Sequence, residues 1–566
     1  MTGLFSFNTI LRYLRQAGLC IAVLLCSMHA FAQKADTSKK VNIDIIHTTL
    51  FQSVVTDSGT ISKFLGDVQL RQGETLLFAD SVYMNALTNN LEAYGHARIE
   101  QPGGTEALGD YMRYTSAKKL AYLKGNVSLT DGKAKLLCEE LTYDVSTKIG
   151  VYTQGGTLQS ENTIVTSDEG TYNVHTKDSR FTHDVIITDP EYNINSDDLG
   201  YNTDSKLVTF YSCSVLVSDK STLHTCDGTY DSKNEIAHFR GHSSVMNDDQ
   251  YIEGDKLDYN KLTGYGNATG HVIVIDTTQH TTMYCGHAEY FKKKKILWAT
   301  IKPVLKQVNG KDSLFIRADT FYSAPIPKKI DSMQHVKKEK EGKINKTKAG
   351  KRKAVKEKEL TMRVAPVEDT TEADSTAPRY FIGYHHVLIF SDSMQGKCDS
   401  ISYTQSDSNI RMMYSPIVWS RASQITGDTI ILHMDSSKLK RIFVPNNATV
   451  ISQSGPAKAK MFDQVQGKTL TGHFTNNEIT DMLVKPNAEA IYYSKDDHGA
   501  YLGVNEAQSE RLRILFGNQQ ISRILFEQDV HQKLTPLEQA DIPNLKLSRF
   551  KWLIDQRPKS REELFQ

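Results

Sequence analysis

Short segments of alternating apolar and polar residues recur along the first half of the chain. They read GDVQL at 66–70, GNVSL at 125–129, HDVII at 183–187, CSVLV at 213–217 and GHVIV at 270–274. Residues two apart in a β-strand lie on the same face of the sheet. The pattern predicts strands with one apolar face, formed by Val68, Leu70, Val127, Leu129, Val185, Ile187, Val215, Val217, Val272 and Val274.

A tyrosine preceded by an acidic residue stands between these segments, as in FADSVYMN at 78–85. The tyrosines are 31, 29, 29, 29, 29, 29 and 31 residues apart, at Tyr83, Tyr114, Tyr143, Tyr172, Tyr201, Tyr230, Tyr259 and Tyr290. The acidic residues are Asp80, Asp110, Glu140, Asp168, Asp197, Asp227 and Asp255, and the last copy has His287 instead. A fixed period near thirty predicts a repeat array whose units bury their apolar faces against one another.

The repetition also bears on chemistry. A pair of catalytic carboxylates is needed once, so an acid in nearly every repeat favours a structural role. We expect the acid to cap a turn or accept backbone N–H groups, and the tyrosine to stack on its equivalents. Calcium binding by the acids is a weaker alternative. Histidines that follow glycine, such as His96, His242 and His271, are interpreted as solvated polar residues, so no metal site and no cofactor is expected.

The N-terminus has the features of a secretory signal peptide over residues 1–32. Arg12 and Arg15 precede a short apolar run that ends in Ala30-Phe31-Ala32, a small-x-small cleavage pattern. Residues 33–47 are predicted to be a linker. The mature chain is therefore expected to be exported.

Net charge and cysteine content further limit the kinds of protein and site that the sequence can encode. The 566 residues carry a formal net charge of +1, which gives no argument for binding nucleic acid. Five cysteines follow the predicted signal, at Cys138, Cys213, Cys226, Cys285 and Cys398. None forms a C-x-x-C pair, so neither a zinc site nor a dense disulfide framework is indicated. We expect these cysteines to be small, buried, apolar residues.

These motifs resemble a known family. The segments GDVQL…LLFADSVYMNALTNNLEAYGHARI and EGDKLDYNKLTGYGNATGHVIV are similar to the OstA-like family of periplasmic lipopolysaccharide-transport proteins, which includes LptA and the periplasmic part of LptD. The resemblance implies an all-β fold: a repeated antiparallel β-jellyroll, an open and twisted two-sheet sandwich, stacked as an extended array.

The resemblance also implies a function. A member would be a non-enzymatic protein that lies in the periplasm or at the periplasmic surface of the outer membrane. It would act in lipopolysaccharide transport and outer-membrane assembly. Lipopolysaccharide or a related lipid would place its acyl chains between the sheets, against the ten apolar residues named above. Other transport components, or a second copy placed head to tail, would pair with the open sheet edges.

The chain divides into regions by composition. Residues 48–325 are predicted to be an OstA-like array, and residues 326–378 a charged, disordered insertion that contains a basic segment at 328–359. Residues 379–503 form a second OstA-like region. Residues 504–566 are expected to be a final strand, a cap and a tail, in which Phe550 and Trp552 are alternative anchors for a partner.

Two other function classes stay open on the sequence. One is a secreted β-helix enzyme that acts on polysaccharides, which would need an acid cluster outside the repeat. The other is a structural or adhesive surface repeat protein, which would need an anchoring segment at its C-terminus.

Overall fold

The computed structural model describes residues 42–56, 59–247, 250–278, 280–309, 312–326, 378–435, 438–475, 478–496, 498–517 and 520–566. The predicted signal peptide, most of the predicted linker and the basic segment at 328–359 lie outside these residues. The described part of the chain consists of β-strands, turns and five short 3₁₀ turns. Every strand pair described below is antiparallel, so the prediction of an all-β antiparallel fold is confirmed.

The chain separates into two compact units, residues 1–190 and 191–566. The strands of the first unit are β1 Asp44–His47, β2 Leu50–Thr56, β3 Gly59–Gln72, β4 Thr75–Asn85, β5 Leu91–Gln101, β6 Thr105–Thr115, β7 Leu120–Thr130, β8 Ala134–Asp144, β9 Ile149–Tyr152, β10 Gly156–Ser160, β11 Thr163–Ser167, β12 Glu169–Asn173 and β13 Asp178–Thr188.

The second unit begins with β14 Tyr192–Asn202, β15 Leu207–Phe210, β16 Ser214–Ser218, β17 Ser221–Thr225, β18 Asp227–Asp231, β19 Ile236–Arg240, β20 Ser243–Asn247, β21 Gln250–Gly254, β22 Lys256–Asn260, β23 Tyr265–Asp276, β24 Thr281–Phe291, β25 Ile296–Thr300, β26 Val304–Asn309, β27 Asp312–Arg317 and β28 Thr320–Pro325.

It continues with β29 Arg379–Phe390, β30 Gln395–Thr404, β31 Asn409–Met413, β32 Ile417–Ser420, β33 Ser423–Thr426, β34 Thr429–Asp435, β35 Lys438–Val444, β36 Ala448–Gln453, β37 Phe462–Gly467, β38 Thr469–Thr475, β39 Glu478–Lys485, β40 Ala488–Lys495, β41 Tyr501–Ser509, β42 Arg511–Gly517, β43 Gln520–Glu527 and β44 His531–Pro536. The 3₁₀ turns are Ala457–Ala459, Leu537–Gln539, Ile542–Asn544, Ile554–Gln556 and Glu562–Phe565. Among the residues that the structure covers, no helix combines the length and apolar character required to cross a membrane.

Long strands bend at a bulge and contribute to two facing sheets. In β24, Thr281–Tyr284 pair with β26 while His287–Phe291 pair with β25. The neighbouring strand β23, which pairs with β24, shifts register between Thr269 and Val272, where Gly270 and His271 both have positive φ. Glycine adopts this conformation without strain, and the extra residue bends the strand. The glycine that starts GDVQL, GNVSL and GHVIV is thus a corner between the two sheets.

The tail at residues 537–566 lies along the outer face of one sheet of the second unit. Two buried glutamines hold its backbone with their side-chain amides. Gln464 donates to the carbonyl of Leu545 at 2.8 Å and accepts from the N–H of Leu547 at 2.9 Å. Gln424 donates to the Lys551 carbonyl at 2.7 Å and accepts from the N–H of Leu553 at 2.8 Å. Each side-chain amide thus offers the extended tail one donor and one acceptor, as a neighbouring β-strand would.

The aromatic residues of the tail pack on their own chain. The rings of Phe550 and Trp552 lie 5.4 and 5.2 Å from the ring of Phe462. Leu564 is fully buried against Val304 and Phe315. The described contacts therefore place the tail on a sheet face, where both aromatic rings pack against Phe462. Their role as anchors for a partner stays a prediction.

Candidate functional site

The inward-facing aliphatic residues of neighbouring strands are register partners, and they form one continuous aliphatic column in each unit. In the first unit every member is at most 2% exposed. This column consists of Leu70, Leu77, Ile99, Ala107, Leu129, Leu136, Leu158, Val165 and Ile187. In the second unit the column contains Ile194, Leu216, Leu223, Val245, Ile252, Val274, Met283, Leu305, Ile316 and Ile389.

Eight of the ten apolar residues predicted to share an inner face do so. Val68, Val127, Val185 and Val272 are at most 1% exposed and stand two positions before column members. Leu70, Leu129, Ile187 and Val274 belong to the aliphatic columns themselves, and Val274 is half-buried. Whether any of them contacts a lipid stays a prediction.

The inward placement predicted for Val215 and Val217 is wrong. Val217 is 42% exposed, and the buried residue of β16 is Leu216 between them. The corner in this repeat is Ser212-Cys213, one residue earlier than the CSVLV alignment assumed, so Ser214 and Leu216 face inward. A shift of one residue moves a strand's whole apolar set to the other face.

A second inner column, the tyrosine column, lies on the facing sheet. In the first unit it alternates tyrosines with small residues: Tyr114, Ala121, Tyr143, Gly150, Tyr172 and Ser179. The tyrosines are fully buried. Alanine and glycine on the intervening strands leave room for the rings, so these tyrosines do not stack on one another.

The tyrosine hydroxyls of the first unit close the gap between the sheets. Tyr143 donates to Oε1 of Gln101 at 2.5 Å, and Tyr172 donates to Oδ2 of Asp131 at 2.9 Å. Tyr114 donates to Gln72 in the same way. Each acceptor stands two residues after a member of the aliphatic column, at the far end of the opposite sheet. We call these three bonds the latches.

Electrostatics stabilise the latches. Burial raises the pKa of Tyr114 to about 12 and also raises that of Tyr143, so both hydroxyls stay protonated as donors. Burial alone would raise the pKa of Asp131, but the Lys177 ammonium, two backbone N–H groups and Tyr172 lower it to about 2. Asp131 is thus a buried carboxylate that is paired with the Lys177 ammonium and hydrogen-bonded to the Tyr172 hydroxyl.

In part of the second unit, the described tyrosines Tyr259 and Tyr290 form no such latch. Over residues 227–325, which we call the open section, the tyrosine column continues with Tyr230, Ala237, Tyr259, Gly266, Tyr290 and Leu297. Its tyrosines are only half-buried, as are Val245, Ile252, Val274 and Leu305 on the facing aliphatic column. Among the described residues, the hydroxyls of Tyr259 and Tyr290 make no hydrogen bond to the opposite sheet.

The inward residues that lie between the aliphatic column and the tyrosine column, which we call the floor, also differ between the first unit and the open section. In the first unit the floor is Ala93, Met112, Leu123 and Leu141, all close-packed. In the open section three consecutive strands supply alanine, at Ala268, Ala288 and Ala299. Each alanine removes the side-chain volume that methionine or leucine fills in the first unit. On three other strands of the open section the same position holds Phe239, Leu257 and Phe321, which are buried. The alanines therefore leave a floor of small side chains on three strands between half-buried walls, and we call this stretch the groove. This row of alanines gave no signal in the sequence analysis.

The repeated acids lie at the bulged corners, away from the groove. Asp80 contacts Nδ1 of His96 at 3.0 Å, and Asp110 accepts from the Asn126 side chain at 2.8 Å. Asp255 lies between two histidines, 3.2 Å from His242 and 2.8 Å from His271. The partners are thus side chains of the corner residues rather than the backbone N–H groups expected from the sequence.

One repeat replaces this contact with a disulfide. Cys213 and Cys226 are 13 residues apart and bonded. They stand one period of 29 residues before His242 and Asp255, so the disulfide occupies the position of that ion pair. The expectation that Cys213 and Cys226 are buried apolar residues is wrong. Cys285 and Cys398 are buried, as that expectation requires, and Cys138 is only half-buried.

Tyr83 differs from the other tyrosines. It lies on the outer face, where its ring is 5.5 Å from Tyr94, which is 5.2 Å from Tyr111. In this repeat the corner residue Asp80 is three residues before the tyrosine, whereas the corner residues Asp110, Glu139 and Cys226 precede Tyr114, Tyr143 and Tyr230 by four. The inner position four residues after Asp80 is Met84.

Within the described ranges, no group of three His, Cys, Asp or Glu side chains is placed to hold a metal ion.

Comparisons with known proteins agree with the sequence resemblance over part of the chain. Residues 39–197 match the family model described as OstA-like protein. No curated protein matches the sequence. A solved structure that the chain is similar to is LptH, the LptA-homologous periplasmic component of the conserved lipopolysaccharide transport device from Pseudomonas aeruginosa. The identity is 13%, the match covers 25% of this chain and 95% of LptH, and the TM-score is 0.20. Residues 39–197 are thus OstA-like, as the repeat pattern indicated.

Proposed function

We propose that this chain is a non-catalytic periplasmic protein that binds lipopolysaccharide or a related lipid and acts in lipopolysaccharide transport and outer-membrane assembly. The observation that carries the proposal is the apolar groove of the open section. Its walls are aliphatic on one sheet and tyrosine on the other, and its floor is alanine. An acyl chain with a dozen methylenes gains roughly 10 kcal/mol from such burial, at about 0.8 kcal/mol per CH₂.

The OstA-like match at residues 39–197 supports the proposal, because the resemblance implies lipid transport across the periplasm. The disulfide supports export, since disulfides persist in oxidising compartments such as the periplasm. The predicted signal peptide agrees with both.

The corner geometry of the acids supports a non-catalytic role. Asp80, Asp110 and Asp255 are engaged with histidine or asparagine at equivalent corners. A glycoside-cleaving pair would instead need two carboxylates facing one substrate position.

The first strands favour partners that add to the sheet edge. β2 pairs with β3, and it exposes Phe51 by 54% and Val55 by 82%. An exposed apolar edge strand pairs readily with a strand from another chain. We propose that a transport component, or a second copy placed head to tail, binds here.

The test of lipid binding is to purify the mature chain from the periplasm without detergent and to analyse its lipids by mass spectrometry. We expect bound lipid with acyl chains on the wild-type chain. Ala288→Leu should fill the floor of the groove and remove most of that lipid while the protein stays folded. Ala117→Leu, which adds the same bulk at an exposed turn of the first unit, is the matched control and should retain the lipid. Folded wild-type protein without lipid would contradict the proposal.

A further inference from the structure

The mouth of the open section carries four consecutive lysines, Lys292–Lys295, in the turn between β24 and β25. The turn directly follows Tyr290 and directly precedes Ile296 and Leu297, so it joins two members of the tyrosine column. Lys292, Lys293 and Lys294 are exposed. The lysine turn thus lies at the solvent-exposed end of these two strands, next to the tyrosine column.

These lysines are not neutralised by the protein. Among the described residues, none of the four forms an ion pair. Other lysines in equivalent turns are paired: Lys177 with Asp131 in the first unit, and Lys261 with Glu235 one repeat before this turn. An uncompensated cluster of four charges is costly for the protein alone, because like charges repel at short range.

Backbone contacts hold the turn in place beside the groove. The N–H of Lys292 donates to the carbonyl of Gly264 at 2.8 Å. Arg379 donates through its guanidinium to the carbonyl of Lys295 at 2.7 Å and adds a fifth positive charge. The lysine side chains themselves are left free to reach a ligand.

We propose that Lys292–Lys295 bind the phosphate of an anionic lipid whose acyl chains lie in the groove of the open section. The inference rests on the proposed function and adds the chemistry of the headgroup. The apolar wall of the groove and the unpaired lysines meet at Tyr290. This arrangement fits a single molecule that has acyl chains and an anionic group at one end. A lysine ammonium is a compact point charge that suits phosphate.

The test compares two lipids that differ only in the phosphate: phosphatidic acid with two twelve-carbon chains, and diacylglycerol with the same chains. Binding is measured by competition with a fluorescent fatty acid. One variant changes all four lysines, Lys292→Gln to Lys295→Gln. The control variant, Lys118→Gln with Lys119→Gln, alters exposed lysines in an equivalent turn of the first unit. Inorganic phosphate serves as a competitor without acyl chains.

The wild-type chain should bind phosphatidic acid about 10- to 100-fold more tightly than diacylglycerol, and salt should weaken that preference. The four-lysine variant should lose the preference and keep diacylglycerol binding, while the control should match the wild type. Inorganic phosphate alone should bind far more weakly than phosphatidic acid. Equal binding of both lipids by the wild type, or an unchanged preference in the four-lysine variant, would overturn this inference alone. Failure of both lipids to bind would instead overturn the proposed function.

Discussion

The first unit and the open section of the second unit are built on the same repeat, yet one is a closed core and the other a groove. Both keep an aliphatic column on one sheet and tyrosines on the other. In the first unit the column is at most 2% exposed and the latches join the sheets. In the open section the walls are half-buried and three alanines line the floor. The repeat thus sets the scaffold, while a few positions between the columns decide whether it encloses protein or leaves space for a ligand.

Truncating a latch tyrosine should show the largest difference between the two regions. Tyr143→Ala removes a fully buried ring and leaves Gln101 without its partner, and we expect a loss of about 3–5 kcal/mol. Tyr290→Ala should cost much less, because its ring is half-buried and makes no latch. Hydrogen exchange of strand peptides around each site measures the two losses separately. Equal losses at both sites would show that the open section is packed like the closed one.

The disulfide should rank next, because it places a covalent link at a corner where the following repeat has only an exposed ion pair. Cys213→Ser opens a loop that spans 13 residues, and we expect a loss of roughly 3 kcal/mol. His242→Ala, one period later, removes an exposed ion pair and should have a clearly smaller effect. Thermal unfolding of both variants, with reduced wild type as a further arm, checks the order. A larger effect of His242→Ala would contradict the equivalence of these corners.

The Asp131 latch should make part of the first unit's free energy of unfolding sensitive to acid. Its pKa is lowered to about 2 in the folded chain, so its stabilisation is present above the ordinary pKa of an aspartate. That stabilisation is lost as the pH falls from about 4 through about 2. Asp131→Asn should cost about 1–3 kcal/mol at pH 7.

Urea unfolding at pH 7, 4 and 2.5 measures the cost. The difference between wild type and Asp131→Asn should shrink at the lowest pH. A constant difference across the three values would exclude Asp131 as the source of this acid sensitivity.

Much of the fold could be predicted from the sequence. The apolar spacing of two and the period near thirty are direct consequences of pleated strands stacked in register, so Val127 and Leu129 face inward as predicted. The error concerns register: Val217 faces outward because its repeat places the corner one residue earlier than the alignment assumed. A pattern of period two cannot reveal such a shift, since either register preserves it.

Other features need the tertiary structure. The latches join residues 41 or 42 positions apart, such as Tyr172 with Asp131 and Tyr143 with Gln101. The alanine floor combines three strands, and alanine is common enough that Ala268, Ala288 and Ala299 carry no signal individually. The tail's position depends on isolated glutamines such as Gln424 and Gln464, which resemble ordinary strand residues in the sequence.

The central claim is that lipid occupies the open section and not the closed one. Photo-crosslinking residues placed in living cells at Val274 and at Leu129, which are corresponding members of the two aliphatic columns, test it most directly. We predict a lipid adduct at Val274 and none at Leu129, because Leu129 is completely buried in protein. A lipid adduct at Leu129 equal to that at Val274, or an adduct at Leu129 alone, would contradict the account.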